Sequence, residues 1–428
     1  MFWNDSNIIL LGNFILWLFT FIIYQKRKST FDVGSFLLLF YLSIVIVGFY
    51  VFNHPLAKVD FKEVSLFPFV YLYAMLMLAT YPLLKFDSLK VNSISNPNDY
   101  KVNTISIIVI IAILFQIPDI ISNFSTGLSS MLVDDSGGAE LYSEMISNYD
   151  KAGDGKIENL ASIFSNVFSD ISIFLFFYCL TLERKNKFIL IGLFISIVLT
   201  MLSIISSGGR GGVVNILLTV LTCYILFKNF LSLPIRKRIF KIMVITMLLI
   251  SFPVILITIS RFGQGNTDMG YANAWYYGQS YLNFNNYGID AGGIRNGDRT
   301  ASFFKGLFVD DMPKNYLERR QKYFYMKMDE SVFYTFVGDF TLDYGAIVTA
   351  FIFLLFSFLF VRKTKVIGNT IQIHQLFLLF FILCVCVQGQ VGLFTFADVG
   401  GNLKIIAFIL VYFWFKLNIK PHVKKYEQ

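Results

Sequence analysis

The chain has 428 residues, 56% of them hydrophobic and only 15% charged, with a mean hydropathy of +0.63. Soluble domains carry about 25% charged residues, so this composition excludes an ordinary water-soluble globule. The net charge of +8 does not argue for nucleic acid, because the excess sits in short loops between apolar runs, where basic residues fix membrane topology.

Eleven apolar runs follow one another at about 8–24, 34–52, 67–84, 105–121, 165–182, 188–206, 213–227, 243–259, 345–361, 375–391 and 402–415. Crossing a bilayer core takes about 20 residues of helix. The expected fold is an all-α polytopic membrane protein: one transmembrane domain over 1–428, with about eleven spans. No basic segment precedes the first run and no small-residue cleavage site follows it, so it is expected to remain as a span rather than act as a removable signal.

Charge orients these spans. With the amino terminus outside, the inner loops carry Lys26-Arg27-Lys28, Lys85, Lys90 and Lys101, Arg184, Lys185 and Lys187, a cluster from Lys228 to Lys241, Arg362, Lys363 and Lys365, and a tail with Lys416, Lys420, Lys424 and Lys425. Every short inner loop is basic, as the positive-inside bias requires, and the carboxyl terminus then lies inside. Two outer segments exceed simple turns. Residues 122–164 form an acidic loop with Asp134, Asp135, Glu140 and Glu144, and residues 261–344 form a large loop rich in Gly, Asn, Tyr and basic side chains. Loops of this length are rare unless functional, so the large one is expected to hold short helices that cap a site. The sequence has no internal repeat, which disfavours an inverted-repeat transporter, and its spans read as nearly free of charge.

Candidate chemistry gathers at the outer ends. Ser206-Ser207-Gly208-Gly209-Arg210-Gly211-Gly212 opens the seventh span. Glycines permit close backbone approach, a helix start favours an anion and arginine offers a two-pronged donor for phosphate. The alternative is a tight hairpin whose arginine snorkels to the interface. Arg261 ends the eighth span at the same expected depth, either as the second half of a diphosphate clamp or as a marker of the helix end. Arg295 and Arg299 lie in the large loop, and from the residues alone a solvated loop pairing them with Asp290 and Asp298 is the preferred reading. Asp339 and Asp343 precede the ninth span four residues apart, hence on one helix face, as a base and its partner or as ordinary interfacial carboxylates. Glu318-Arg319-Arg320 reads as a solvated face. The cysteines, Cys179, Cys223, Cys384 and Cys386, fall in apolar runs and read as small buried residues. His54, His374 and His422 are scattered, and no metal cluster, phosphate loop or dinucleotide fingerprint occurs, so no metal or other cofactor is expected.

The Gly-Gly-Arg-Gly segment opening a helix, the stretch Tyr277-Gly278-Gln279-Ser280-Tyr281-Leu282-Asn283-Phe284-Asn285, and Tyr334-Thr335-Phe336 ahead of Asp339 and Leu342-Asp343-Tyr344-Gly345 resemble the Wzy-type O-antigen, or oligosaccharide repeat-unit, polymerases of bacterial envelopes. The layout, with one large outer loop before the last spans, resembles that family along the whole chain. The resemblance implies a glycosyltransferase of GT-C type in the bacterial cytoplasmic (inner) membrane. Such an enzyme moves a growing glycan from undecaprenyl diphosphate onto a new lipid-linked repeat unit on the outer side. It further implies partners: the undecaprenyl-diphosphate-linked oligosaccharide, membrane lipid and a chain-length regulator protein, with no nucleic acid. Arg210, Arg261, Arg295 and Arg299 then bind the diphosphate, and Asp339 or Asp343 accepts the acceptor's proton. One family signature, an arginine with a glycine eleven positions later in two outer loops, is met once, by Arg295 and Gly306, and is not carried over. An O-antigen ligase acting on a lipid core and a flippase or transporter stand as alternatives. In intact cells, a thiol reagent that does not cross the membrane should label Thr300→Cys and miss Lys237→Cys and Lys424→Cys. Labelling of the carboxyl tail from outside overturns this topology.

Overall fold

A computed structural model describes the chain except residues 1–4, 29, 57–60, 96–98, 119, 122–157, 207–209, 263–268, 314, 329–331, 367, 394 and 418–428. In chain order the elements are α1 (Asp5–Lys28), α2 (Val33–Asn53), α3 (Leu66–Lys85), β1 (Ser93–Ser95), α4 (Asp99–Leu114), α5 (Glu158–Thr181), α6 (Lys187–Ser206), α7 (Arg210–Phe227), α8 (Leu233–Phe262), α9 (Met269–Asn283), α10 (Ser302–Gly306), α11 (Tyr316–Lys322), α12 (Thr335–Lys363), β2 (Thr370–Gln372), α13 (Ile373–Gln388) and α14 (Asp398–Lys416). Each of the eleven apolar runs overlaps a helix, though the fourth helix ends at Leu114, inside its run, and the eighth and ninth runs lie in helices that begin earlier, at Leu233 and Thr335. Among the described residues, eight helices are long and apolar enough to cross a membrane: α1, α2, α3, α5, α6, α7, α12 and α14. The chain is an all-α polytopic membrane protein by this measure. Only helices satisfy every backbone polar group within a single segment crossing lipid.

The loops sort into two ends. At one end, the Lys28 ammonium donates to the Phe86 carbonyl at 3.1 Å and lies 3.7 Å from Asp87, Lys228 donates to the Phe31 carbonyl, and the Asn229 amide donates to Ser88 Oγ at 2.9 Å. At the same end β1 and β2 pair in parallel, Ser93 opposite Thr370, so the loops after α3 and α12 join. At the other end, the Lys62 and Ser65 backbone amides each donate to an asparagine of the segment after α9, Asn286 and Asn285, both at 2.9 Å. The loops after α1, α3, α7 and α12 thus meet at one end, and the segments after α2 and α9 at the other.

The large loop is built mostly of helices. One of them, α9, runs antiparallel to α2, with Tyr271 stacked on His54 at 4.4 Å and Gly278 facing Gly48. Lipid tails are as apolar as leucine, so helices associate in a membrane by close packing of small residues. A Cβ at Gly278 would lie 3.0 Å from both the Cα and the N of Gly48, so these two backbones touch. Outward-facing Phe351, Leu354 and Phe358 of α12 are exposed, as lipid contact requires. Gly345 interrupts α12 with φ 75° and ψ 163°, a conformation glycine adopts without a Cβ penalty. It separates a short outer half-helix, 335–344, from the apolar remainder.

Gly278→Leu should force α2 and α9 apart, at a cost on the order of 1–3 kcal/mol or more for overpacking, seen as a lower melting midpoint of the detergent-purified protein. Gly12→Ala, where nothing lies within 4 Å of the added carbon, should leave the midpoint unchanged or slightly raised.

Candidate functional site

The chain between the end of α9 and α10 is folded back on the outer half-helix of α12. Asn296 (φ 52°) and Gly297 (φ 82°) turn it sharply, and a side chain at 297 would collide with the Tyr344 hydroxyl at 3.0 Å. Arg295 is pinned at its backbone, where its N–H donates to the Leu342 carbonyl at 2.8 Å and its carbonyl accepts from the Tyr323 hydroxyl at 3.0 Å. These contacts carry Arg295 and Arg299 to the face of α12 on which Asp339 and Asp343 lie one turn apart.

The four side chains form one buried network. Arg295 Nε donates to Asp343 Oδ1 at 2.7 Å, and Arg295 Nη2 lies 3.4 Å from Asp339 Oδ1. Arg299 Nη1 lies 3.1 Å from the same Asp339 oxygen. Tyr334 Oη accepts from both guanidinium groups, at 3.2 Å from Arg295 and 2.6 Å from Arg299. The remaining carboxylate oxygens are also engaged. Asp343 Oδ2 accepts from the Thr300 amide and hydroxyl, each at 2.7 Å, and Asp339 Oδ2 accepts from the Leu393 amide at 2.6 Å. Arg295 and Arg299 are only 1% and 2% exposed, which overturns the solvated-loop reading. Asp290 pairs instead with Lys327, and Asp298 with Lys305 and Lys322. Arg319 is buried against Asp398, so the solvated-face reading fails at that residue, while Glu318 and Arg320 are exposed. Thr300 is buried as well, whereas Asp290 is an exposed position in this loop.

Electrostatics follows from this packing. Burial alone would weaken the hold of Arg299 on its proton, but Asp339 and Tyr334 outweigh it and push its pKa up. Burial alone would raise the Asp298 carboxyl, yet hydrogen bonds from Lys305, Tyr323 and Lys322 hold it below the usual carboxylate range. Among the described residues, the three non-glycine residues with positive φ are Asn296, Thr335 and Asp398. Asn296 follows Arg295, Thr335 follows Tyr334, and the Asp398 amide donates to the Arg299 carbonyl at 2.9 Å. Such strain persists only where surrounding contacts enforce it, and it collects at functional sites.

Arg210 opens α7 and Arg261 lies in the last turn of α8; their side chains, like residues 207–209 and most of the acidic segment 122–164, fall outside the described residues. Gly211 is described, and a Cβ there would lie 2.4 Å from the Tyr276 hydroxyl, which sets the start of α7 beside α9. Among the described residues no three His, Cys, Asp or Glu side chains converge as a metal site would require, and all four cysteines are buried and free.

A second charged cluster lies within the spans, which are therefore not free of charge. Lys404 Nζ of α14 lies 2.6 Å from Asp170 Oδ2 of α5, both fully buried. Gln388 of α13 donates its amide to Asp170 Oδ1 and to Thr219 Oγ1 of α7, each at 3.0 Å. An acid and a lysine inside two apolar runs are the sequence signal for this pair, since charges there need a partner. No family model matches the chain, and no curated protein and no solved structure matches it.

Asp343→Ala should leave Arg295 Nε and the Thr300 amide without their acceptor, and breaking a buried ion pair costs about 3–5 kcal/mol. The expected outcome is a large loss of folded protein by size-exclusion of detergent extracts. Asp290→Ala, on an exposed pair, should elute and melt as the parent does.

Proposed function

We propose that the chain is a GT-C-type glycosyltransferase that polymerises lipid-linked oligosaccharide repeat units. In this reading it spans the bacterial cytoplasmic membrane about eleven times, amino terminus outside and carboxyl terminus inside. The observation that carries the reading is the buried Arg295–Arg299–Asp339–Asp343 network at the end of the bundle away from the basic loops, joined to the resemblance in layout and motifs. In support, a shallow, open apolar furrow lies between α3 and α12, toward the end of the basic loops, lined by Met77, Leu78, Leu354 and Phe358 among others. It offers a berth for an isoprenoid tail.

The acceptor hydroxyl oxygen attacks the anomeric carbon of the growing glycan, the bond from that carbon to the diphosphate oxygen breaks, and undecaprenyl diphosphate leaves. A carboxylate takes the hydroxyl proton. Of the two candidates, Asp343 receives three contacts at 2.7 Å, whereas Asp339 receives two contacts beyond 3 Å and one at 2.6 Å. Hydrogen bonds to a carboxylate make it a weaker base, so Asp339 is assigned the proton and Asp343 the anchoring of Arg295. Two arginines against two aspartates leave no net positive charge in this network. Neutralising the leaving diphosphate then falls mainly to Arg210 and Arg261, each charge-assisted contact contributing roughly 1.5–3 kcal/mol.

A transporter or flippase is the second reading, favoured by one observation: the buried Asp170–Lys404 pair within the spans, where ionisable residues often mark a transport path. An O-antigen ligase shares the donor and differs only in acceptor. Glycan length in a strain lacking the protein separates them. A single repeat unit on the lipid core supports the polymerase; absence of any repeat unit supports the ligase or the flippase and sinks the polymerase. In the complemented strain, Arg210→Lys and Arg261→Lys should each abolish most polymer while membrane levels stay near normal, and Asp339→Asn should abolish polymer with a lower membrane level, because it leaves two buried arginines short of a counter-charge. Wild-type polymer from any of them removes that residue from the site.

A further inference from the structure

The outer cap carries an apolar surface that the network does not use. Phe308 is 87% exposed and Phe324 82%, with Leu307, Leu317 and Tyr325 also exposed. Asp298 holds these segments side by side. It pairs with Lys305 from α10 and Lys322 from α11, and accepts from the Tyr323 hydroxyl at 2.6 Å.

The position of this surface is fixed by α14. The Phe303 amide donates to Asn402 Oδ1 at 3.1 Å, and the Asn402 amide donates to the Thr300 carbonyl at 2.9 Å. α10 therefore sits against the first turns of a helix long and apolar enough to cross a membrane. The outward face of that helix, with Val399, Leu410 and Phe413 exposed, follows the spacing of a single helical stripe. Leu307 and Phe308 follow α10 directly, and Phe324 follows α11, whose Arg319 pairs with Asp398 at the start of α14.

We propose that Leu307, Phe308 and Phe324 of the cap insert into the bilayer surface at this end of the bundle, so that the large loop is a membrane-seated lid rather than a free domain in water. Large exposed apolar patches mark interaction sites, and aromatic side chains collect at the membrane–water boundary. The chemistry selects lipid over a glycan: phenylalanine and leucine offer no hydrogen-bonding edge to sugar hydroxyls. Attachment of both segments to the first turns of a membrane-crossing helix, at Asn402 and Asp398, selects lipid over a second copy of the chain.

The four native cysteines are buried, so single introduced thiols can be read on the full-length protein. Phe308→Cys, Phe324→Cys and Leu317→Cys, labelled with bimane, are placed in nanodiscs whose lipids carry a spin label near the carbonyl. Asp290→Cys serves as the water-facing control and Leu410→Cys as the lipid-facing one. Labels at 308 and 324 should be quenched by the shallow spin label about three-fold more than at 290, as expected of residues at the interface, and less by aqueous iodide. The proposal fails if 308 and 324 behave like 290. It also fails if their shielding from iodide appears only on adding soluble oligosaccharide, or only when two copies share one nanodisc. Leu317 supplies an independent third position should either phenylalanine variant express poorly.

Discussion

Two guanidinium groups held away from water govern the half of this molecule that lies away from the basic loops. A guanidinium has five donors and does not give up its proton inside a protein, so burying Arg295 and Arg299 obliges the fold to surround them with acceptors. Asp339, Asp343 and Tyr334 supply these. The carboxylates need further donors of their own, and Thr300 and the Leu393 amide provide them. One requirement thereby ties the large loop, the outer half-helix of α12 and the turn after α13 into a single unit. The backbone yields to this demand: Gly345 breaks α12 beneath the half-helix, and Asn296, Thr335 and Asp398 take up strained conformations around it.

The turn after α13 links that network to the charged pair below. Gln388 reaches Asp170 and Thr219, the Gly389 carbonyl accepts from the Phe336 amide at 2.7 Å, and Leu393 donates to Asp339. On the other side, α14 carries both Lys404, bonded to Asp170, and Asn402, bonded to Thr300. Buried ion pairs contribute little net stability when intact and cost much when broken. Their effect here is to fix which helices meet and in which register, beneath a cap whose position depends on them.

Membrane packing accounts for the rest of the bundle. Hydrophobic burial does not drive helices together in lipid, so contacts such as Gly48 against Gly278 allow α2 and α9 to meet closely. The segment expected to lie as short helices over the bundle therefore includes one helix packed tightly along a span. The sequence hint was present in Gly278 within an otherwise aromatic stretch, but the identity of its partner was not.

Amino-acid composition and the spacing of apolar runs determined that the chain is helical and polytopic, because the bilayer imposes one length and one polarity on any segment that crosses it. The distribution of lysine and arginine likewise marked loops that share an end, and the structure joins four of them, those after α1, α3, α7 and α12, by direct contacts. Asp339 and Asp343 were legible as residues of one helix face because a four-residue spacing fixes that locally. The pairing of Arg295 and Arg299 with those acids, the burial of Arg319 and the meeting of Asp170 with Lys404 were decided only by tertiary structure. Each joins residues between 40 and 234 positions apart in the chain, and no local pattern says whether a charged side chain ends in water or against a partner brought from elsewhere in the fold.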